Sequence, residues 1–165
     1  MTRIIISEHT MQTDWTHPDI VQWCQYLLDS YAHWVKQELI ERTGTPLEQA
    51  ERLFNSAFVV ASHGTEDDPI LNYGNRTALN LWMMDWQQFT HTPSRLTAEP
   101  AKREERARML EQVKTQGYHA DYSGIRISST GKRFLAERIL IWNIHKPDGT
   151  IAGQGATFST WKFLS

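Results

Sequence analysis

The chain has 165 residues, of which 40% are hydrophobic and 22% are charged, and its formal net charge is −2 at pH 7. This length suits one domain with a helical extension, and the charge lacks the basic excess that binding to nucleic acid requires. The single cysteine, Cys24, excludes an internal disulfide and a multi-cysteine metal site. No segment approaches the ~20 apolar residues of a membrane-spanning helix, so we predict a soluble cytoplasmic protein.

A helical pattern begins after an N-terminal arm (residues 1–15) that shows no clear period. From Thr16 to Arg42, apolar residues recur at three- and four-residue steps and form one stripe. Gly44 is predicted to end this helix. Thr45 and Glu48, with a proline between them, are typical of a capping box that opens a second helix. The stripe consists of Ile20, Trp23, Cys24, Leu27, Tyr31, Trp34, Val35 and Leu39.

A stripe with two indoles and a phenol ring has to be buried against another surface. One interpretation is a homodimer that forms through the Thr16–Arg42 helix. The other is a cap that packs on the sheet of the same chain, and the pattern fits both equally well.

The next segment predicts two short strands and a helix. Phe58–Ala61 is a brief apolar run rich in β-forming residues, and Ile70–Tyr73 resumes the extended pattern. Between them, Gly64 and the Asp-Asp-Pro sequence at 67–69 favour a turn. Asn75 is predicted to cap the following helix by accepting hydrogen bonds from its first turn.

A polar connection from Met83 to Arg95 leads to a helix predicted over Ala101–Gln116 and ended by Gly117. Its apolar side is predicted to be Ala107, Leu110 and Val113. Its charged residues are Lys102, Arg103, Glu104, Glu105, Arg106 and Arg108. Acids and bases alternate, and Glu104 and Arg108 have the spacing of a side-chain pair, so we interpret these residues as a solvated face.

Three strands are predicted after this helix. They are Gly124–Ser128, a long central strand at Arg133–Ile144, and Ile151–Trp161, separated by turns at 129–131 and 146–149. The order β-β-α…α-β-β-β predicts an α+β fold, in which a five-stranded antiparallel sheet has helices on one face.

Three stretches of the chain resemble the MEKHLA-domain family. They are SHGTEDDPILNYGNRTALNLW, PSRLTAEPAKREERARML and DYSGIRISSTGKRF, in that order. This family is related to PAS domains, includes stand-alone bacterial proteins, and also forms the C-terminal part of certain plant homeodomain–leucine zipper regulators. The resemblance covers Leu53 to Leu164. It implies a PAS-like domain at residues 53–165, preceded by an arm and helices at 1–52, with a role in sensing or interaction.

The resemblance supplies no ligand, and no cofactor is predicted. Light-sensing PAS relatives that react with flavin carry a cysteine in a helix after the first strands. The matching segment here, Ser94–Thr97, has none, so this photochemistry is not implied. Haem would need an axial ligand, and His91 and His119 are more typical of solvated loop residues.

A pocket on one face of the sheet is predicted from the last strand. Gly153 and Gly155 share a face and indicate a close approach by another group. Gln154 projects to the opposite face with small neighbours, where its amide could bind a guest. The predicted ligand-binding residues are Trp82, Arg95, Tyr122, Arg126, Glu137, Asn143 and Gln154. The alternative is that the polar residues face water or form cross-strand pairs.

Enzymatic chemistry has little support in the sequence. The acidic segment Glu66–Asp68, next to His63, could hold Ca²⁺ or Mg²⁺ in a metal-assisted hydrolase, but an acidic turn needs the same residues. Adjacency of Ser62 and His63 does not make a catalytic triad, and Cys24 lies on an apolar stripe, where a thiol is usually inert.

We therefore predict a non-catalytic, PAS-like sensory domain that binds a small molecule and signals through helix docking or dimerisation. The alternative is a protein-interaction or dimerisation module without a ligand.

Overall fold

Helices and strands follow one another in the predicted order. The structure is a computed structural model and describes residues 14–99 and 102–164; most of the predicted arm, residues 1–13, lies outside these ranges. The helices are α1 (Pro18–Val35), α2 (Pro46–Phe54), α3 (Arg76–Trp82), α4 (Trp86–Phe89) and α5 (Arg103–Gln116), with 3₁₀ turns at Asp14–Thr16 and Ser94–Thr97. The strands are β1 (Val59–His63), β2 (Leu71–Gly74), β3 (Tyr118–Ile127), β4 (Arg133–His145), β5 (Ile151–Phe158) and β6 (Thr160–Phe163).

The strands form one antiparallel sheet in the order β2-β1-β5-β4-β3. The predicted last strand, Ile151–Trp161, is in fact two strands that separate at Ser159. β5 pairs with the second half of the long strand β4, from Leu140 onward, and β6 pairs with its first half. Because β4 is longer than β5, the short sixth strand covers the part of the same edge that β5 does not reach.

Helix α1 is shorter than the sequence indicated. It ends at Val35, because Lys36 adopts a left-handed conformation (φ 66°) and donates its backbone N–H to Ala32. The predicted end at Gly44 is therefore wrong. The capping box of α2 is confirmed: the Thr45 N–H donates to Glu48 Oε1 at 2.8 Å, and the Glu48 N–H donates to Thr45 Oγ1 at 3.2 Å.

Helices lie on both faces of the sheet. On the inner face, α3, α4 and α5 pack on the side chains of alternate strand residues and form the first core cluster. On the outer face, α1 and α2 pack over Val60, Tyr73 and Trp142 and form the second. Burial of each such large side chain contributes about 1.5–3 kcal/mol, so both helical layers stabilise the fold. Within the described ranges, no helix is long and apolar enough to cross a membrane.

The aromatic stripe of α1 packs on the sheet of its own chain. The Trp23 indole donates to Ser62 Oγ at 2.9 Å, and the Trp34 indole donates to the Asn143 carbonyl at 3.1 Å. The ring of Tyr31 meets Trp142 edge-on, at 5.1 Å between centroids. The intramolecular cap is thus the arrangement that the structure contains.

The two glycines of β5 admit this close packing. A Cβ on Gly153 would lie 2.1 Å from the His63 carbonyl oxygen and 3.1 Å from the Trp23 ring. A Cβ on Gly155 would lie 2.6 Å from Trp142. The predicted close approach is confirmed: the approaching groups are the β1 backbone and Trp23 at Gly153, and Trp142 at Gly155.

Asn75 caps α3, as predicted, and also joins the first strand to the helices. Its Oδ1 accepts from the Ala78 and Val60 N–H groups, both at 3.1 Å. Its Nδ2 donates to the carbonyls of Leu53 and Phe58. These bonds fix the start of α3 against β1, which places Trp82, at the end of that helix, over the inner face.

Candidate ligand cavity

A cavity lies between the inner face of the sheet and helices α3 to α5. The part of the cavity that the centre of a water molecule can occupy has a volume of about 50 Å³. This is room for a few waters or one small organic group. Its polar lining residues include His63, Ser94, Thr97, Arg106, Arg126 and Gln154, and its apolar walls include Val59, Leu71, Trp82, Phe89, Ile139 and Phe158. Apolar walls with a few polar groups are typical of small-molecule sites.

His63 is the last residue of β1. Val59 and Ala61 face the inner side of the sheet, and alternate residues of a strand share a face, so His63 faces the same side. Its Nδ1 lies 2.9 Å from the Gly64 carbonyl, which can only accept, so Nδ1 carries the proton of the neutral ring. Only 7% of the residue is exposed, and Nε2 has no hydrogen-bond partner among the described residues. Burial lowers the pKa of His63 below its ordinary value, which favours the neutral ring.

Trp82 closes the apolar end of the cavity. The residue is 4% exposed, and its indole meets Phe89, Phe134 and Phe158 edge-on, at 5.3–6.2 Å between centroids. Its Nε1 is buried and has no partner in the part of the chain that the structure describes. An indole N–H is a donor only, so this wall of the cavity suits a hydrogen-bond acceptor.

Arg126, on β3, brings a buried guanidinium to the cavity. The residue is 6% exposed, and its Nη1 donates to the Ile125 carbonyl at 3.1 Å. Its Cζ lies 5.8 Å from the centre of the Tyr122 ring. Gly124 makes room for it, because a Cβ there would lie 2.7 Å from Nη1. Burial lowers the pKa of Arg126, since desolvation disfavours the charged form.

Arg106, on α5, adds a second guanidinium. Its Nη2 donates to Ser94 Oγ at 2.6 Å. Burial, followed by the nearby charge of Arg126, lowers the pKa of Arg106 to about 9, so the group is charged at neutral pH. The prediction that Arg106 belongs to a solvated face is wrong. Residues 106, 109 and 113 are one helical turn apart, and Met109 and Val113 are buried, so Arg106 follows the buried side.

The two cavity arginines differ from other arginines of the chain in their partners. Arg42, Arg95, Arg108 and Arg133 each form an ion pair with a carboxylate. Across residues 14–99 and 102–164, no carboxylate lies within 4.0 Å of the Arg106 or Arg126 guanidinium. The polar end of the cavity therefore carries positive charge that these residues do not neutralise.

Gln154 links the cavity to the surrounding elements. The residue is 8% exposed, and its Nε2 donates to the Leu110 carbonyl at 2.9 Å and to Asn143 Oδ1 at 3.2 Å. Asn143 in turn donates through Nδ2 to the Lys114 carbonyl. Gln154 and Asn143 thus hold β5 and β4 against α5.

Three of the seven predicted site residues, Trp82, Arg126 and Gln154, line the cavity. The other four lie elsewhere. Arg95 lines a larger outer pocket, where it pairs with Asp68 at 3.1 Å. Tyr122 is beside the guanidinium of Arg126. Glu137 is half-buried on β4, opposite β6, and Asn143 makes the hydrogen bonds just described.

Sequence reasoning missed His63 and Arg106 as cavity residues. The first strand was predicted to end at Ala61, yet His63 continues its inward alternation by one more step. Arg106 was grouped with its charged neighbours, although its spacing of three and seven residues from the buried Met109 and Val113 indicates that it lies on the same side of the helix.

The arrangement of polar groups offers no support for catalysis. The Ser62 hydroxyl donates to Asn72 Oδ1 and accepts from Trp23 on the outer face, away from the His63 ring. Burial raises the pKa of Cys24 to about 12, so its thiol is unreactive. Glu66 accepts the Ile70 N–H, which is turn chemistry. The described residues contain no group of three or more His, Cys, Asp or Glu arranged to hold a metal.

The architecture is similar to that of solved PAS-type domains. A PAS domain from Colwellia psychrerythraea superposes with a TM-score of 0.60 at 12% identity, covering 71% of this chain and 94% of that one. A light-oxygen-voltage domain studied with a flavin analogue gives a TM-score of 0.56 at 11% identity, covering 72% of this chain and 85% of that one. A PAS domain from a two-component sensor histidine kinase gives 0.53 at 11%, covering 69% and 91%. The fold is therefore PAS-like, as predicted.

The family model of the MEKHLA domain matches residues 21–163. The chain belongs to the MEKHLA domain family, and the resemblance found in its three motifs is confirmed. The match includes most of α1, which fits the packing of that helix on the sheet. A comparison with curated proteins finds no match.

Proposed function

We propose that this chain is a non-catalytic sensory module, in which a small molecule binds in the inner cavity and alters the docking of α1. The observation that carries the proposal is the lining of the cavity. Around a cavity under a PAS-like sheet, His63 Nε2 and Trp82 Nε1 are buried without a partner among the described residues. Each such group costs about 1–3 kcal/mol, which a ligand with matching donors and acceptors would recover.

The position of a second pocket beside the cavity supports this proposal. The larger outer pocket, near the turn at 64–69, shares His63, Ser94, Arg106, Leu110 and Gln154 with the cavity. A ligand that enters from the outer pocket would therefore meet the polar groups first and the apolar wall of Trp82 last.

Two junctions connect the cavity to α1. The first is the hydrogen bond from the Trp23 indole to Ser62, the strand neighbour of His63. The second is at the end of α5, where the Trp34 ring lies over Gly117. A Cβ on Gly117 would lie 2.5 Å from the Trp34 ring. A ligand that displaces His63 or α5 would change one of these junctions.

Such a ligand shifts the position of α1 only if it binds one docking state better than the other. The expected effect is a change in local opening of α1, because its contacts with the sheet determine how often its amides exchange. Amide hydrogen exchange over residues 21–35, measured with and without a saturating ligand, tests this step. Identical exchange in both states would argue against signalling through α1.

A cavity-filling variant tests ligand binding itself. Ala156 lines the cavity, so Ala156→Leu should fill much of it and abolish the thermal shifts produced by small molecules. Ala120 is exposed on β3, and Ala120→Leu is the matched control. The screen uses the full chain, native mass spectrometry for co-purifying molecules, and melting curves with neutral, cationic and anionic metabolites. Shifts that survive Ala156→Leu unchanged would contradict binding in this cavity.

The homodimer through the Thr16–Arg42 helix stays a prediction. In the structure, this stripe packs on its own sheet, with Cys24 and Leu27 buried and the other stripe residues partly buried. A dimer that uses the same contacts would therefore exchange α1 between two copies. Light scattering on the full chain measures the mass directly. A mass of two chains that falls to one in a variant with Trp23→Ala and Trp34→Ala would support an exchanged dimer. A single-chain mass throughout would refute the exchanged dimer. The alternative function, an interaction module that binds no ligand, would then have to use other surfaces of the chain.

A further inference from the structure

We infer that the cavity takes a small organic anion, a carboxylate on an apolar body, whose head group binds between Arg106 and Arg126. This inference rests on the proposed function and specifies its ligand class.

The first argument is the environment of Arg126. More than nine-tenths of this residue is buried, and its guanidinium donates to the Ile125 carbonyl through Nη1 and lies beside the Tyr122 side chain. A guanidinium has five N–H donors in a fixed fork. Most of them have no acceptor among the described residues, and the fork matches the two oxygens of a carboxylate.

The second argument is the convergence of two like charges. Arg106 comes from α5 and Arg126 from β3, both line the cavity, and the charge of Arg126 disfavours the charged form of Arg106. Such a pair is normally held together by an anion. Since no described carboxylate lies within ion-pair distance of either guanidinium, an anionic ligand would supply the missing charge.

The third argument is the shape and polarity of the space. The small volume and the walls of Trp82, Phe89 and Phe158 suit a ring or a short hydrocarbon chain. The indole N–H of Trp82 suits an acceptor. Glu66, Asp67 and Asp68 line the outer pocket and disfavour the approach of multiply charged anions, so the structure favours one negative charge.

The test uses three probes on the full chain: benzoate, its neutral isostere benzamide, and inorganic phosphate. Calorimetry at fixed ionic strength, in a buffer without carboxylates, should show that benzoate binds about tenfold more tightly than benzamide or phosphate. Arg126→Gln should weaken benzoate binding about tenfold and leave benzamide binding unchanged. Arg108→Gln, an exposed arginine two residues from Arg106 on the same helix, should leave benzoate binding within about twofold.

A second variant guards against loss of folding. Arg126→Lys keeps the charge but not the fork, so benzoate should remain favoured over benzamide, with lower affinity. Equal binding of benzoate and benzamide, tighter binding of phosphate, or no effect of Arg126→Gln in a protein with native circular dichroism would overturn the inference. Absence of benzoate binding would overturn it too.

The inference and the proposed function can fail separately. If neutral compounds bind and Ala156→Leu abolishes their binding, the cavity is a ligand site but not an anion site. If no compound of any charge binds and nothing co-purifies, both fail.

Discussion

Replacing Arg126 with methionine in the unliganded protein should make it more stable. Methionine fills a similar volume without a charge. Exchanging buried charges for well-packed apolar side chains is often stabilising by about 1–4 kcal/mol. The change forfeits the contact with the Tyr122 ring and the bond to the Ile125 carbonyl, together about 1 kcal/mol. The net gain is then about 0–3 kcal/mol, with a central value of about 1.5 kcal/mol.

Thermal unfolding followed by circular dichroism measures this gain. For a chain of this size, each kcal/mol corresponds to about 2–4 °C in the melting temperature, so Arg126→Met should melt several degrees higher. The buffer must contain no carboxylate or phosphate, since a bound anion would stabilise the wild type alone. Arg108→Met, at an exposed position, should change stability by less than about 0.5 kcal/mol. A loss of more than 1 kcal/mol in Arg126→Met would show that the charge is already satisfied and refute the reasoning about the cavity.

Three further predictions concern the same part of the molecule. Gly153→Ala should lower stability by about 3 kcal/mol or more, because its Cβ would clash with the backbone carbonyl of His63. The control is Gly131→Ala, whose Cβ meets open space at positive φ and which should cost about 1 kcal/mol. An equal loss of stability in both variants would contradict this prediction. Because burial lowers the pKa of His63 in the folded state, the unfolded chain takes up the proton first, and stability should fall as the pH drops below about 6.5, by up to ~1.4 kcal/mol per pH unit. Urea melts between pH 7.5 and 5.5 should show a shallower fall for His63→Gln than for the wild type; parallel curves would rule this out. Cys24 should resist a thiol reagent at pH 8 in the folded protein and react after denaturation, since its pKa is raised to about 12; rapid labelling of the folded protein would disagree.

Elements with strong local signals could be predicted from the sequence. The cap at Asn75, the capping box at Thr45 and the helix end at Gly117 all depend on residues within four positions, and all three are in place. The order of strands and helices along the chain was predicted from these patterns, and the PAS-like fold is confirmed, with β6 as an additional short strand. The alternation of β5 also placed Gln154 on the cavity face and the two glycines on the other.

Features that depend on distant contacts were missed. Apolar periodicity continues past Lys36, but α1 ends there, because the left-handed residue turns the chain away. The alternating charges around Arg106 led to the prediction that its side chain faces solvent. The side chain instead faces the cavity, because α5 packs on the sheet and Ser94 Oγ accepts a hydrogen bond from Arg106. The division of the predicted last strand at Ser159 depends on the length of β4, which local pattern does not fix.

A titration of the ¹⁵N-labelled protein with benzoate, observed at the tryptophan indole N–H signals, tests whether a ligand binds in the cavity between the sheet and α3 to α5. The Trp82 signal, assigned with Trp82→Phe, should move progressively to saturation, because Trp82 lines the cavity and its unpartnered indole N–H can gain an acceptor. The indole of Trp15, which stacks on Phe54 in the outer core, serves as the internal reference and should move much less. A stationary Trp82 signal at saturating benzoate would contradict a ligand site inside the sheet.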